Sequence, residues 1–136
     1  MTETSEARTK LSDPHADYDF HVHSCYSPDA AAALSAMADA ACRAGLTGVA
    51  FTEHVEWWPD DEACGYMQPQ RYYADLEALQ ARYDGTLQIL AGLELGNPHE
   101  FVAEARALMD VAPWDYVLGS LHWPKGVPGW ESVAFA

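Results

Sequence analysis

Positively charged side chains are scarce in this sequence. Lys and Arg number 7 against 21 Asp and Glu, a formal net charge of −14 over 136 residues. A protein that grips a nucleic-acid backbone builds a basic face, and an anionic membrane surface repels an acidic chain. Neither nucleic acid nor membrane is therefore expected as a partner. Cysteine is scarce too. Cys25, Cys42 and Cys64 are odd in number and form no Cys-x-x-Cys pair, which argues against a disulfide framework and makes a reducing cytoplasm the default compartment. No apolar run approaches the ~18 residues of a spanning helix. The opening residues, MTETSEARTKLSDPHAD, lack the apolar segment of a secretory signal.

What is present suffices for a core. Apolar residues make up 49% and aromatics 12%, including 5 Trp, so wholesale disorder is excluded and one domain is expected. Residues 1–16 are polar and aperiodic and read as a disordered tail, leaving 17–136 as the domain. Tyr18, Phe20 and Val22 alternate with Asp19, His21 and His23, which is a strand period. Ala30–Ala44 predicts a helix with Leu34, Met37, Ala38 and Ala41 on one face and Gly45 as its stop. Gly48–Thr52 predicts a short buried strand, followed by a loop of Trp, Pro and acid from Val55 to Gln68. Pro69 suits a helix start, and Tyr72, Leu76, Leu79 and Tyr83 continue the helical spacing. A third strand falls within Thr86–Leu95. Pro98 predicts the start of a third helix with Phe101, Ala105 and Leu108 inward, and a fourth strand falls within Trp114–Leu121. The order β-α-β-α-β-α-β implies an α/β class with parallel strands and right-handed crossovers.

The metal-capable residues fall at one end of this scheme. His21 and His23 end the first strand, His54 follows the second, Glu94 ends the third and His122 ends the fourth. That is the edge where parallel α/β folds build their sites. His21 and His23 are two apart on a strand and face the same way, so two imidazoles can grip one ion. Glu94 lies among Leu90, Leu93 and Leu95, where a carboxylate is costly unless paired or metal-bound, and its two oxygens can bridge two ions. Mixed His and carboxylate ligands suit Zn, Mn or Fe. Closely spaced ions activate water and clamp an in-line phosphoryl displacement. An anionic substrate would then be attracted by metal in place of side-chain cations. His99 reads as a capping or surface residue and Cys25 as a bystander thiol. Trp57, Trp58, Asp60, Asp61 and Glu62 either wall a pocket or cover the site. Arg71 and Lys125 are the cations nearest its mouth.

Taken together these residues resemble a known family. His21-Val22-His23-Ser24-Cys25-Tyr26-Ser27-Pro28-Asp29 resembles the first motif of the PHP (polymerase and histidinol phosphatase) family, and Thr52-Glu53-His54 its second. Gly92-Leu93-Glu94-Leu95-Gly96 is similar to the segment with the bridging glutamate, and Asp115 to His122 to the third motif. The wording is most similar to the histidinol-phosphatase branch, over about residues 18–125. The resemblance implies a partial (β/α) barrel of the seven-stranded PHP type, here with about four parallel strands and three intervening helices. It implies up to three divalent transition metals (Zn, Mn or Fe). His21, His23 and Glu94 would hold one ion, Glu94 and His122 a second, and Asp29 and His54 a third. The implied reaction is hydrolysis of a small phosphate monoester, of the histidinol phosphate kind, by a metal-bridging hydroxide.

The family pattern continues with a further His and an Asp-x-His pair, and residues 123–136 contain no His. Four strands do not close a seven-stranded barrel, and a (β/α) barrel commonly takes ~250 residues. The domain is thus expected to be incomplete at its C-terminus, with self-association or pairing with a missing C-terminal half to complete it. The alternative to a phosphatase is a non-catalytic metal-binding remnant. A polymerase-associated exonuclease is disfavoured by the net charge.

Overall fold

A computed structural model describes residues 17–124. The expected tail at 1–16 and Lys125 lie outside the described residues. The elements are β1 (Tyr18–Val22), α1 (Leu34–Arg43), β2 (Gly48–Val55), α2 (Pro69–Arg82), β3 (Gln88–Gly96), α3 (Val102–Met109) and β4 (Tyr116–Ser120). The strands form one sheet in the order β1-β2-β3-β4, and every neighbouring pair is parallel. The four parallel strands and three helices are those that the alternation implied, and they form the partial barrel that the family resemblance implied.

One face of the sheet meets the helices. Val49, Phe51 and Val55 of β2 and Ile89, Ala91, Leu93 and Leu95 of β3 pack with Leu34 and Ala38 of α1, Tyr72, Leu76 and Leu79 of α2 and Leu108 of α3. Burying each large side chain of this set is worth ~1.5–3 kcal/mol. Tyr72 is wholly buried, and its hydroxyl lies 3.1 Å from the Phe51 carbonyl and 3.0 Å from that of Gly92. It thereby ties α2 to β2 and β3. Gly45 takes φ +77° after α1, and the bonds Gly45 N–H to Cys42 O and Leu46 N–H to Ala41 O close that helix end.

The opposite face is concave. The pairing of Gly48 with Gln88 and His54 with Glu94 sets Gly48, Ala50, Thr52 and His54 beside Gln88, Leu90, Gly92 and Glu94 on it. Tyr18 of β1 lies across Gly48, where an added Cβ would sit 2.2 Å from its ring, and it bonds to Gln88. The rings of Phe20 and Tyr116 are 5.4 Å apart although β1 and β4 are opposite edges of the sheet. The sheet is therefore curled enough for its edge strands to meet inside.

Strand β1 departs from simple alternation. Asp19 pairs with Val49 and Val22 with Phe51, so Phe20 and His21 together oppose Ala50. This is a β-bulge. It places Phe20 on the concave face with His21, while Val22 joins the helix-side core.

Other boundaries also differ from the sequence expectation. β2 runs on to Val55, so His54 lies within the strand. α1 begins at Leu34, because residues 24–33 form a loop held by Glu53. α3 begins at Val102. Residues 97–101 instead form a turn, with Glu100 N–H bonded to Asn97 O and Phe101 N–H to Pro98 O.

Candidate metal centre

The carboxyl ends of all four strands converge on Glu94. Its Oε2 lies 3.0 Å from His21 Nε2 and 2.9 Å from His23 Nε2, and those two nitrogens are 3.1 Å from each other. Its Oε1 lies 3.1 Å from His122 Nε2 and accepts a 2.8 Å hydrogen bond from Ser120. The two carboxylate oxygens thus face two separate histidine sets. Asp29 sits between two more ring nitrogens, with Oδ1 at 3.2 Å from His23 Nδ1 and Oδ2 at 3.1 Å from His54 Nε2. All six residues singled out from the sequence, His21, His23, Asp29, His54, Glu94 and His122, are brought together.

Donor atoms able to hold an ion form three groups among the described residues: His21, His23 and Glu94; His23, Asp29 and His54; and His54, Glu56 and His122. The last adds Glu56 to the six residues above. Glu56 falls within the loop expected from Val55 to Gln68, yet it follows His54 by two, the same spacing as His21-x-His23. That period places it on the concave face beyond the end of β2.

Buried polar residues support these donors. Glu53 is fully buried and accepts hydrogen bonds from Ser24 N–H, Ser24 Oγ and Ser27 Oγ at 2.6–3.0 Å. Ser27 Oγ in turn accepts from His54 N–H at 2.9 Å. Glu53 therefore fixes the loop that carries Asp29 and couples it to His54. Asn97 does the same for the fourth strand end, as its Oδ1 accepts from His122 N–H at 2.9 Å and Trp123 N–H at 3.0 Å.

Charge in this cluster is unbalanced. Burial alone would raise the Glu94 carboxyl, but hydrogen bonds from His122, His23, His21 and Ser120 outweigh it and hold Glu94 far below the usual carboxylate range. Hydrogen bonds to Glu56 and then Glu94 push His122 up to about 10 against the effect of burial. His23 is raised, its burial outweighed by Glu94 and Asp29. Asp29 is lowered, its burial outweighed by His23 and His54. The carboxylates thus draw positive charge onto the histidines, a demand that a divalent cation meets equally well. Two buried atoms here, His54 Nδ1 and Glu56 Oε2, have no hydrogen-bond partner among the described residues. Such atoms cost ~1–3 kcal/mol each when left unsatisfied. Imidazole nitrogens and carboxylate oxygens, several of them buried and aimed at one another, are a donor set that fits Zn, Mn or Fe.

A cleft of about 570 Å³ opens beside the cluster, lined by Pro28, Asp29, His54, Glu56, Asp60, Asp61, Glu62, Ala63 and His122. No Lys or Arg is among these residues. The acidic run therefore walls the cleft, while the tryptophans do not. Trp57 contacts Phe101, and Trp58 stacks on Trp123 at 5.6 Å. Arg71 lines a separate cavity with Cys25, Tyr26 and Asp75. His99 is exposed and belongs to none of the three groups, as expected of a surface residue. Cys25, Cys42 and Cys64 are free thiols.

A parallel half-barrel that gathers histidines and a two-sided carboxylate at the carboxyl ends of its strands defines a class of metal-capable α/β domain. The PHP domain family matches residues 19–132, and the chain belongs to that family. It is similar to a probable histidinol-phosphatase of Deinococcus radiodurans, 31% identical over 123 residues, covering 86% of this chain and 46% of that protein. It is equally similar to the histidinol-phosphatase of Lactococcus lactis, 31% identical over 117 residues, covering 86% of this chain and 43% of that one. The chain thus spans less than half the length of these curated relatives. The crystal structure of histidinol phosphate phosphatase from Lactococcus lactis, complexed with zinc, L-histidinol and phosphate, matches with a TM-score of 0.75 and 28% identity. That match covers 82% of this chain and 42% of the other.

Proposed function

We propose that this chain carries the metal-binding part of a hydrolase site for a small phosphate monoester, with histidinol phosphate as the first substrate to test. The observation that carries the reading is Glu94, whose two oxygens face His21 with His23 on one side and His122 on the other. In this reading His21, His23 and Glu94 hold one divalent ion, Glu94 and His122 share a second, and Asp29 and His54 hold a third. Zinc is the ion to test first, since the similar histidinol phosphate phosphatase is complexed with it; manganese and iron suit the same donors. Bound ions would supply positive charge for phosphoryl oxygens and lower the pKa of water. The chain's own residues position the donors. Asp29 orients His23, Ser120 orients Glu94, and Glu53 holds the loop carrying Asp29. The wall of Asp60, Asp61 and Glu62 repels a polyanion, which favours a small ester over a nucleic acid.

A second reading is a metal-binding domain without turnover, since buried imidazole and carboxylate donors hold an ion whether or not a reaction follows. One assay separates the two. Phosphate release from histidinol phosphate and from a generic monoester is measured with zinc or manganese, with chelator, and in Glu94→Gln. Metal-dependent release that is lost in Glu94→Gln supports the hydrolase. Bound metal without release supports the second reading, and no bound metal overturns both.

A further inference from the structure

Resting on the metal-centre reading above, we propose that Glu56 is the positioning residue for His122, fixing its tautomer and turning its Nε2 toward Glu94, and that Gly96 is the space that lets it do so. The strand register makes the placement. His54 pairs with Glu94 and Val55 with Leu95, so the next step sets Glu56 beside Gly96 on the concave face. A Cβ on Gly96 would lie 1.8 Å from Glu56 Oε2 and 2.3 Å from its carboxyl carbon. Only a residue without a side chain leaves that cradle open.

The carboxylate itself is buried and directs Oε1 at His122 Nδ1. A carboxylate only accepts, so the ring nitrogen that faces it carries the proton. Nε2, on the far side of the ring, points at Glu94 Oε1 from 3.1 Å, and a cation held between them would take the place of its proton. Among the described residues Glu56 Oε2 has no hydrogen-bond partner, so the hydrogen bonding of this carboxylate is directed at His122 through Oε1. Histidine ligands held by a carboxylate in this way are more basic and fixed in orientation, and loss of such a partner typically lowers metal affinity ~10–100-fold.

The test compares the unaltered chain with Glu56→Ala, Glu56→Gln, Gly96→Ala and Glu94→Gln. Zinc affinity is measured by chelator competition, and the His122 tautomer by long-range ¹⁵N–¹H NMR of the zinc-loaded protein. Glu56→Ala is expected to weaken zinc binding ~10–100-fold and to lose the pure Nδ1–H tautomer. Gly96→Ala, which displaces the same carboxylate without altering it, should reproduce both effects. Glu56→Gln, whose amide oxygen still accepts, should restore the tautomer. Unchanged affinity and tautomer in Glu56→Ala or Gly96→Ala, with zinc lost in Glu94→Gln, would overturn the role of Glu56 and leave the metal centre standing. Unchanged zinc binding in Glu94→Gln would overturn the metal centre and this proposal with it. If Glu56→Ala does not fold, Gly96→Ala decides.

Discussion

Asn97 holds a left-handed φ of 47° in a buried position and uses its whole amide. Its Oδ1 accepts from His122 and Trp123 N–H, and its Nδ2 donates to Glu100 Oε2 at 2.7 Å and Trp123 O at 2.9 Å. Asn tolerates this backbone conformation better than most L-residues. Asn97→Ala therefore removes a good αL residue and leaves N–H groups beside the site without an acceptor. Urea unfolding should show a loss of about 2–3 kcal/mol; a change below ~0.5 kcal/mol would count against this account of the turn. At this scale the site was half legible. His21, His23, His54, Glu94 and His122 stood out because each interrupts or ends an apolar strand, and Asp29 came through the family resemblance. Glu56 is hidden because the apolar pattern of β2 stops at Thr52 while the strand itself runs to Val55. Glu53 and Asn97 were hidden because their value lies in partners distant in sequence, Ser24, Ser27, His122 and Trp123, which spacing does not reveal.

The elements themselves were legible in kind and order, since strand and helix periods differ and Gly45, Pro69 and Gly85 punctuate them. Their starts were not. Ala30–Ala33 favours helix locally, but Cys25 N–H bonds to Ala32 O and Glu53 grips Ser24 and Ser27, so tertiary contacts override propensity. Pro98 suits a helix start, but the Asn97 turn delays α3. The bulge in β1 was invisible because alternation counts residues on one strand, and register needs two. The loop between β1 and α1 has a second anchor, Tyr26, whose hydroxyl donates to Asp75 on α2. Burial and then this hydrogen bond push Tyr26 up to about 12. A raised folded value means that the contact's contribution to stability is complete below pH ~10, the ordinary tyrosine value, and is lost as pH rises through about 12. Ultraviolet difference titration should show Asp75→Asn shifting one tyrosine downward, short of its ordinary value because burial remains. Identical titrations would contradict the anchor.

For the whole molecule, parallel strands could be read from the alternation of elements, while the curl that brings Phe20 to Tyr116 could not. The four-stranded sheet leaves β1 and β4 as edges among the described residues, and Phe20, Val117 and Leu121 are exposed there. Unpaired apolar edges invite pairing. We therefore expect self-association, seen as a dimer or larger species by size-exclusion chromatography with light scattering; a monomer throughout the micromolar range would contradict it. The account as a whole depends on the cluster around Glu94 being a metal centre built from imidazole and carboxylate. X-ray absorption fine structure of the zinc-loaded chain tests this most directly. The account predicts a zinc shell of nitrogen and oxygen only, at about 2.0–2.2 Å, with the outer scattering of imidazole. A sulfur shell near ~2.3 Å, from Cys25, Cys42 or Cys64, or a shell without imidazole, would contradict it.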